Sequence, residues 1–161
     1  MRRRSEGFSL IELLIVVAII LVIAAIAIPS LLRSRVAANQ ASAVASLHTL
    51  TIAEATYSST FGAGYSINIQ YLAAPATSGA IPSSTAAGLI DSSLASGIKS
   101  GYSFTYSPGS IDSTGRVNSF SFTAVPISSS TGTNYYYTDD SGVIRLNSTT
   151  DATSTDSPVA G

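Results

Sequence analysis

The 161-residue chain has no cysteine and no tryptophan, a single histidine, and few charges: Asp, Glu, Lys and Arg together make up 11% of it. Without cysteine there are no disulfide staples, thiolate zinc sites, iron–sulfur clusters or covalently attached haem of the c type. One imidazole, His48, offers no partner for a His-rich metal centre and no support for most His-based catalysis. A net charge of −1 lacks the basic stripe that marks a nucleic-acid partner. The charged fraction falls well below the roughly 25% usual for soluble globular domains, which disfavours an ordinary cytosolic enzyme. No Gly-x-Ser-x-Gly elbow, phosphate-binding loop or dinucleotide fingerprint is present. The expectation is a non-enzymatic protein with no cofactor.

What is present is unevenly distributed. Arg2, Arg3 and Arg4 crowd the start, whereas residues 8–32 hold one charge, Glu12. Residues 13–28 are unbroken apolar sequence, and with residues 8–11 the segment is long enough, at about 1.5 Å per helical residue, to cross a hydrocarbon core of about 30 Å. Arg33 and Arg35 follow it, so the basic excess places the N-terminus on the cytoplasmic side by a narrow margin. An ordinary secretory signal is the competing reading, with Ala25 and Ala27 as its cleavage signature. It leaves Glu12 unexplained, because a carboxylate inside an apolar segment costs about 2.5–3.5 kcal/mol near the helix centre and gains nothing there.

Gly7-Phe8-Ser9-Leu10-Ile11-Glu12 after a short arginine leader, with Pro29 at the end of the apolar run, closely resembles the N-terminus of type IV prepilins and the related pseudopilins. The resemblance covers about the first thirty residues. It implies that a membrane-embedded prepilin peptidase cuts between Gly7 and Phe8 and methylates the new amine of Phe8. It further implies that Glu12 of an incoming subunit meets the Phe8 amine of a subunit already in a filament, so that Phe8 and Glu12 direct assembly. Physical chemistry supports such a pairing, since a carboxylate one turn into a membrane helix needs a cation and cleavage creates one. Pro29 removes a helical hydrogen bond and is expected to kink the helix. Leu21, a good helix former, stands where many relatives have glycine, which favours a kink over local melting.

Past Pro29, the glycine-free and proline-free residues 34–61 read as a continued helix with an apolar stripe of Val36, Ala43, Leu47, Leu50, Ala53, Tyr57 and Phe61. Gly62-Ala63-Gly64 stops it. His48 is assigned to the surface or a groove, and Glu54 likewise to capping, solvation or local pairing with Arg or Lys, without chemistry of its own. Residues 75–100 read as a surface excursion with one short helical or loop element near residues 87–94. Alternating aromatic and polar residues at 102–106 and 120–124 predict strands, and residues 135–138 and 143–146 flank Asp139-Asp140-Ser141-Gly142 as a hairpin. Asp139, Asp140, Asp151 and Asp156 do not have EF-hand spacing, and turn chemistry is preferred to a calcium site, so no metal ligand is assigned.

The predicted fold is therefore α+β and pilin-like: a long N-terminal helix, membrane-spanning in its first half and amphipathic in its second, packed on an antiparallel sheet of about four strands. Its parts are a cleaved leader (1–7), a membrane or filament-core helix (8–32), an amphipathic continuation (33–62), a connection (63–101), the sheet (102–147) and a polar, solvated tail (148–161). The resemblance implies a subunit of a type IV pilus serving adhesion, motility or DNA uptake. The alternatives are a pseudopilin of type II secretion and a membrane-anchored exterior domain that never polymerises. Its implied partners are other copies of the chain, the prepilin peptidase, the inner-membrane assembly machinery and, before assembly, the lipid bilayer. The implied route runs from a single-pass precursor in the cytoplasmic membrane to an extracellular filament.

Overall fold

The computed structural model describes residues 8–77 and 79–159. Helix α1, Leu10–Phe61, continues without interruption past Pro29. By its internal contacts the chain divides into Met1–Arg35 and Val36–Gly161. Within the described part of the first unit, α1 carries its large apolar side chains exposed, from Phe8 and Leu10 to Leu31 and Leu32. An all-apolar helix with no protein cover matches a bilayer or other helices rather than water.

The second unit is built on the remainder of α1 and a six-stranded antiparallel sheet in sequential order: β1 (Ile98–Lys99), β2 (Tyr102–Pro108), β3 (Phe120–Pro126), β4 (Tyr135–Asp139), β5 (Arg145–Asn147) and β6 (Ser157–Pro158). Period-two alternation sends Tyr102 and Phe104, then Phe120, Phe122 and Ala124, then Tyr136 and Thr138 to the buried face. The apolar residues among these share one core with Ala43, Leu47, Leu50, Ala53 and Tyr57 of α1. Leu47 and Leu50 are wholly buried, and each contributes about 1.5–3 kcal/mol relative to an exposed side chain. Aromatic rings continue the packing sideways: Tyr65 meets Phe120 edge-on at 4.7 Å between centroids, and Tyr106 lies 4.9 Å from Phe122.

The α+β arrangement agrees with expectation, and the four expected strands are β2 to β5. The sheet is wider than four strands, because two-residue strands β1 and β6 add to its edges. β6 also corrects the reading of residues 148–161 as a solvated tail. Leu146 pairs with Ser157, Val159 N–H donates to the Ile144 carbonyl, Ala152 is buried, and Asn147 Nδ2 donates to Asp156 Oδ1 at 3.0 Å. The connection holds a 3-10 turn, Ile69–Leu72, capped by Asn68, and a short helix α2, Ser92–Ala95, capped by Asp91. Thus the helical element expected near residues 87–94 begins at Ser92.

Loops are pinned to α1 by side-chain hydrogen bonds. Asn39 Nδ2 donates to the Thr131 carbonyl at 3.0 Å, Gln40 Nε2 donates to Thr133 Oγ1 at 3.0 Å, and the Tyr57 hydroxyl donates to the Ser84 carbonyl at 2.7 Å. Beyond the helix, the chain turns at Gly64, whose φ of +81° favours glycine. A Cβ there would lie 2.4 Å from the Val117 carbonyl oxygen, so the backbone of the β2–β3 connection approaches to a distance that any side chain would block.

Candidate functional site: the helix start and its carboxylate

Ser9 precedes the first residue of α1 and acts as its cap. Its Oγ accepts from the Ile11 N–H at 3.4 Å and its carbonyl accepts from the Leu13 N–H at 3.3 Å. Glu12, three residues later, reaches back so that Oε2 accepts from the Ser9 N–H at 2.9 Å. The pair forms a capping box, in which two backbone donors that the helix itself leaves open are satisfied reciprocally. Within a bilayer such donors have no water to turn to. A carboxylate at this end of a helix is favoured as well by the partial positive charge of the aligned peptide dipoles.

Phe8 is 78% exposed, and Glu12 is exposed one turn later. Glu12 faces the Ser9 N–H, and among the described residues the sole ion pair is Lys99 with Asp91, at 2.7 Å. The capping box leaves the carboxylate with further accepting capacity, since an ionised carboxylate has about four lone-pair sites. Gly7 and the rest of the leader lie outside the described residues. Pro29 lies inside α1 and lacks the N–H that would donate to the Ala25 carbonyl. Ser9 was missed in the sequence, although Ser-x-x-Glu directly before an apolar run is its recognisable signature.

In the second unit, His48 is exposed, as expected. Glu54 is not where the sequence reading put it. It is 0% exposed and pairs with neither Arg nor Lys; instead Oε2 accepts from the Ser66 N–H at 2.9 Å, and Oε1 lies 2.6 Å from Ser66 Oγ. Burial pushes its carboxyl above the usual value, against the opposing effect of the Ser66 contacts and of the nearby Tyr106 hydroxyl. Two of the C-terminal acids, Asp139 and Asp156, serve turns. Asp139 Oδ1 accepts from the Ser141 N–H at 3.0 Å, and Asp156 Oδ2 accepts from the Thr153 N–H at 2.7 Å. The Thr153 contacts hold Asp156 below its usual range. No group of three or more His, Cys, Asp or Glu placed to hold a metal ion occurs among the described residues.

Residues 2–28 match the family described as the prokaryotic N-terminal methylation motif. Neither a curated protein nor a solved structure matches the chain. An apolar exposed helix and a capped carboxylate at its start therefore coincide with one recognised signal, the N-terminal methylation motif at residues 2–28.

Proposed function

We propose that the chain is the structural subunit of a type IV pilus, polymerising through the first part of α1 into a surface filament for adhesion, motility or DNA uptake. The observation that carries this reading is the methylation motif at residues 2–28, set on a helix whose apolar side chains have no cover within the chain. Proteins with this motif are structural rather than enzymatic.

In this mechanism the precursor sits in the cytoplasmic membrane with Arg2, Arg3 and Arg4 on the cytoplasmic side. Prepilin peptidase removes residues 1–7 and methylates the amine of Phe8. Glu12, held at the helix start by Ser9, then accepts the Phe8 ammonium of a neighbouring copy. In low dielectric an unpaired carboxylate is strongly disfavoured, so this contact selects the axial register in which adjacent helices align. Burial of the apolar surface from Leu10 to Leu32 supplies most of the attraction, and Pro29 gives the helix a point at which to bend within the bundle.

Mass analysis of the N-terminus of protein sheared from the cell surface tests the proposal. The expected species begins at N-methylated Phe8 and comes from long fibres. Protein that begins at Met1 and stays in the envelope as monomer contradicts it, and processed protein confined to short periplasmic fibres replaces it with a secretion role.

A further inference from the structure

We infer that the folded chain holds Glu54 as a neutral carboxylic acid whose proton is shared with Ser66 Oγ, so that the second unit is locked by a proton and loosens as that proton is lost. This concerns a group that the assembly mechanism does not use, and it stands whether or not the chain polymerises.

The hydrogen bonds around the side chain accommodate this proton, and its burial without a counter-charge requires it. Ser66 Oγ lies 2.6 Å from Glu54 Oε1 and 3.0 Å from the Asn68 carbonyl oxygen, yet a hydroxyl has one proton to donate. If Glu54 is ionised, that proton serves either the carboxylate, which also accepts from the Ser66 N–H, or the Asn68 carbonyl, which also accepts from the Tyr71 N–H at 3.2 Å. If Oε1 carries a proton, both Ser66 Oγ contacts form at once and no charge remains in the core. Glu54 O–H donates to Ser66 Oγ, Ser66 O–H donates to the Asn68 carbonyl, and Glu54 Oε2 accepts from the Ser66 N–H at 2.9 Å.

Among the described residues the surroundings add no cation. The titratable groups facing Glu54 are phenols: Tyr57 from α1 and Tyr106 from β2, with Tyr71 of the 3-10 turn beside Tyr57. Tyr106 uses its own proton on the Ser66 carbonyl, and Tyr57 uses its proton on the Ser84 carbonyl. Burial pushes both phenols up, so neither carries charge near neutral pH. A wholly buried carboxylate with one backbone donor and no counter-charge is the arrangement that proteins avoid by keeping the acid protonated.

The location gives the proton its leverage. Glu54 lies between Ala53 and Tyr57 on the buried stripe of α1, and Ser66 lies just past Gly64 and Tyr65, where the chain leaves the helix and joins Val117. The contact therefore ties the helix to the segment that follows it and, through Tyr106, to β2. Because the folded chain binds this proton more tightly than the unfolded chain, its stabilising contribution is full below the ordinary glutamate range and declines as pH rises through the folded value.

The test uses the full chain in detergent micelles, with thermal unfolding of the wild type and Glu54→Gln followed at about pH 5 and about pH 8. Glutamine reproduces the donor and acceptor pattern of the protonated acid. The expected result is a wild-type Tm that falls by several degrees between the two conditions, while Glu54→Gln loses most of that fall. A variant that keeps the wild-type pH dependence overturns the inference. The sequentially assigned side-chain carboxyl carbon of Glu54, read by carbon-13 NMR in the wild type, decides the same question without a variant. A protonated-acid signal at about pH 6 supports the inference, and an ionised signal at that pH overturns it.

Discussion

Glu12 and Glu54 stand on the same helix, one exposed beside its first turn and the other 0% exposed near its last. Glu12 is surrounded by apolar side chains without cover and leans on the Ser9 N–H. Glu54 is enclosed by a finished core and is matched atom for atom by Ser66. The contrast shows how one helix serves two purposes. In residues 8–35 the polar group retains accepting capacity and the apolar surface has no cover within the chain, which suits association. In residues 36–61 both are satisfied internally, which suits an independently folded exterior module.

The contrast breaks most sharply under Glu12→Ala. Cleavage at Gly7 and the Tm of the second unit should be unchanged, while sheared fibre yield falls by at least about tenfold, as expected for loss of one partner of a buried charge pair. Wild-type fibre yield would remove Glu12 from assembly. The reverse asymmetry is expected for apolar truncations. Leu50→Ala should cost the second unit about 2–5 kcal/mol in chemical denaturation, because Leu50 is wholly buried, whereas Leu21→Ala should leave that measurement unmoved. Equal effects would mean that the two parts of α1 are not energetically distinct. Gly64→Ala should destabilise the second unit by about 1–3 kcal/mol, through its positive φ and the approach of Val117, again by denaturation. The smallest effect is expected at Ser9: Ser9→Ala should weaken the start of α1 by about 0.5–2 kcal/mol, seen as faster amide exchange at Ile11, with Ser9→Thr close to wild type. Unchanged exchange would show that the cap contributes nothing.

Much of this was legible in the sequence because the signals are local. Phe8, Glu12 and Pro29 stand at fixed spacing in a segment without other polar landmarks, and Ala43, Leu47, Leu50, Ala53 and Tyr57 follow the helical period that buries them. Val36 and Phe61, at the ends of that stripe, are only half-buried. Glu54 was misread for an instructive reason. It occupies the stripe position between Leu50 and Tyr57, but its charge in water argued for the surface, and its partner Ser66 arrives from beyond the helix. Ser46 is buried on the same face, another polar residue that polarity alone would not place there. The strands β2, β3 and β4 declare themselves by alternation. β1 and β6 are too short to alternate and exist only because a neighbouring strand offers open hydrogen bonds. The segment after Asn147 reads as low-complexity serine, threonine and aspartate, yet Asp156 organises it by accepting from Thr153 and Asn147.

The claim on which assembly rests is that Glu12 of one copy pairs with the cleaved terminus of another. Fibres grown from an equal mixture of subunits labelled with nitrogen-15 at phenylalanine and subunits labelled with carbon-13 at glutamate permit a direct measurement by solid-state NMR. Dipolar coupling between the Phe8 amine and the Glu12 carboxyl carbon, at a separation of about 4 Å or less, is predicted in the mixed fibres. Coupling confined to fibres whose subunits carry both labels would place the pair within a single chain and contradict the account.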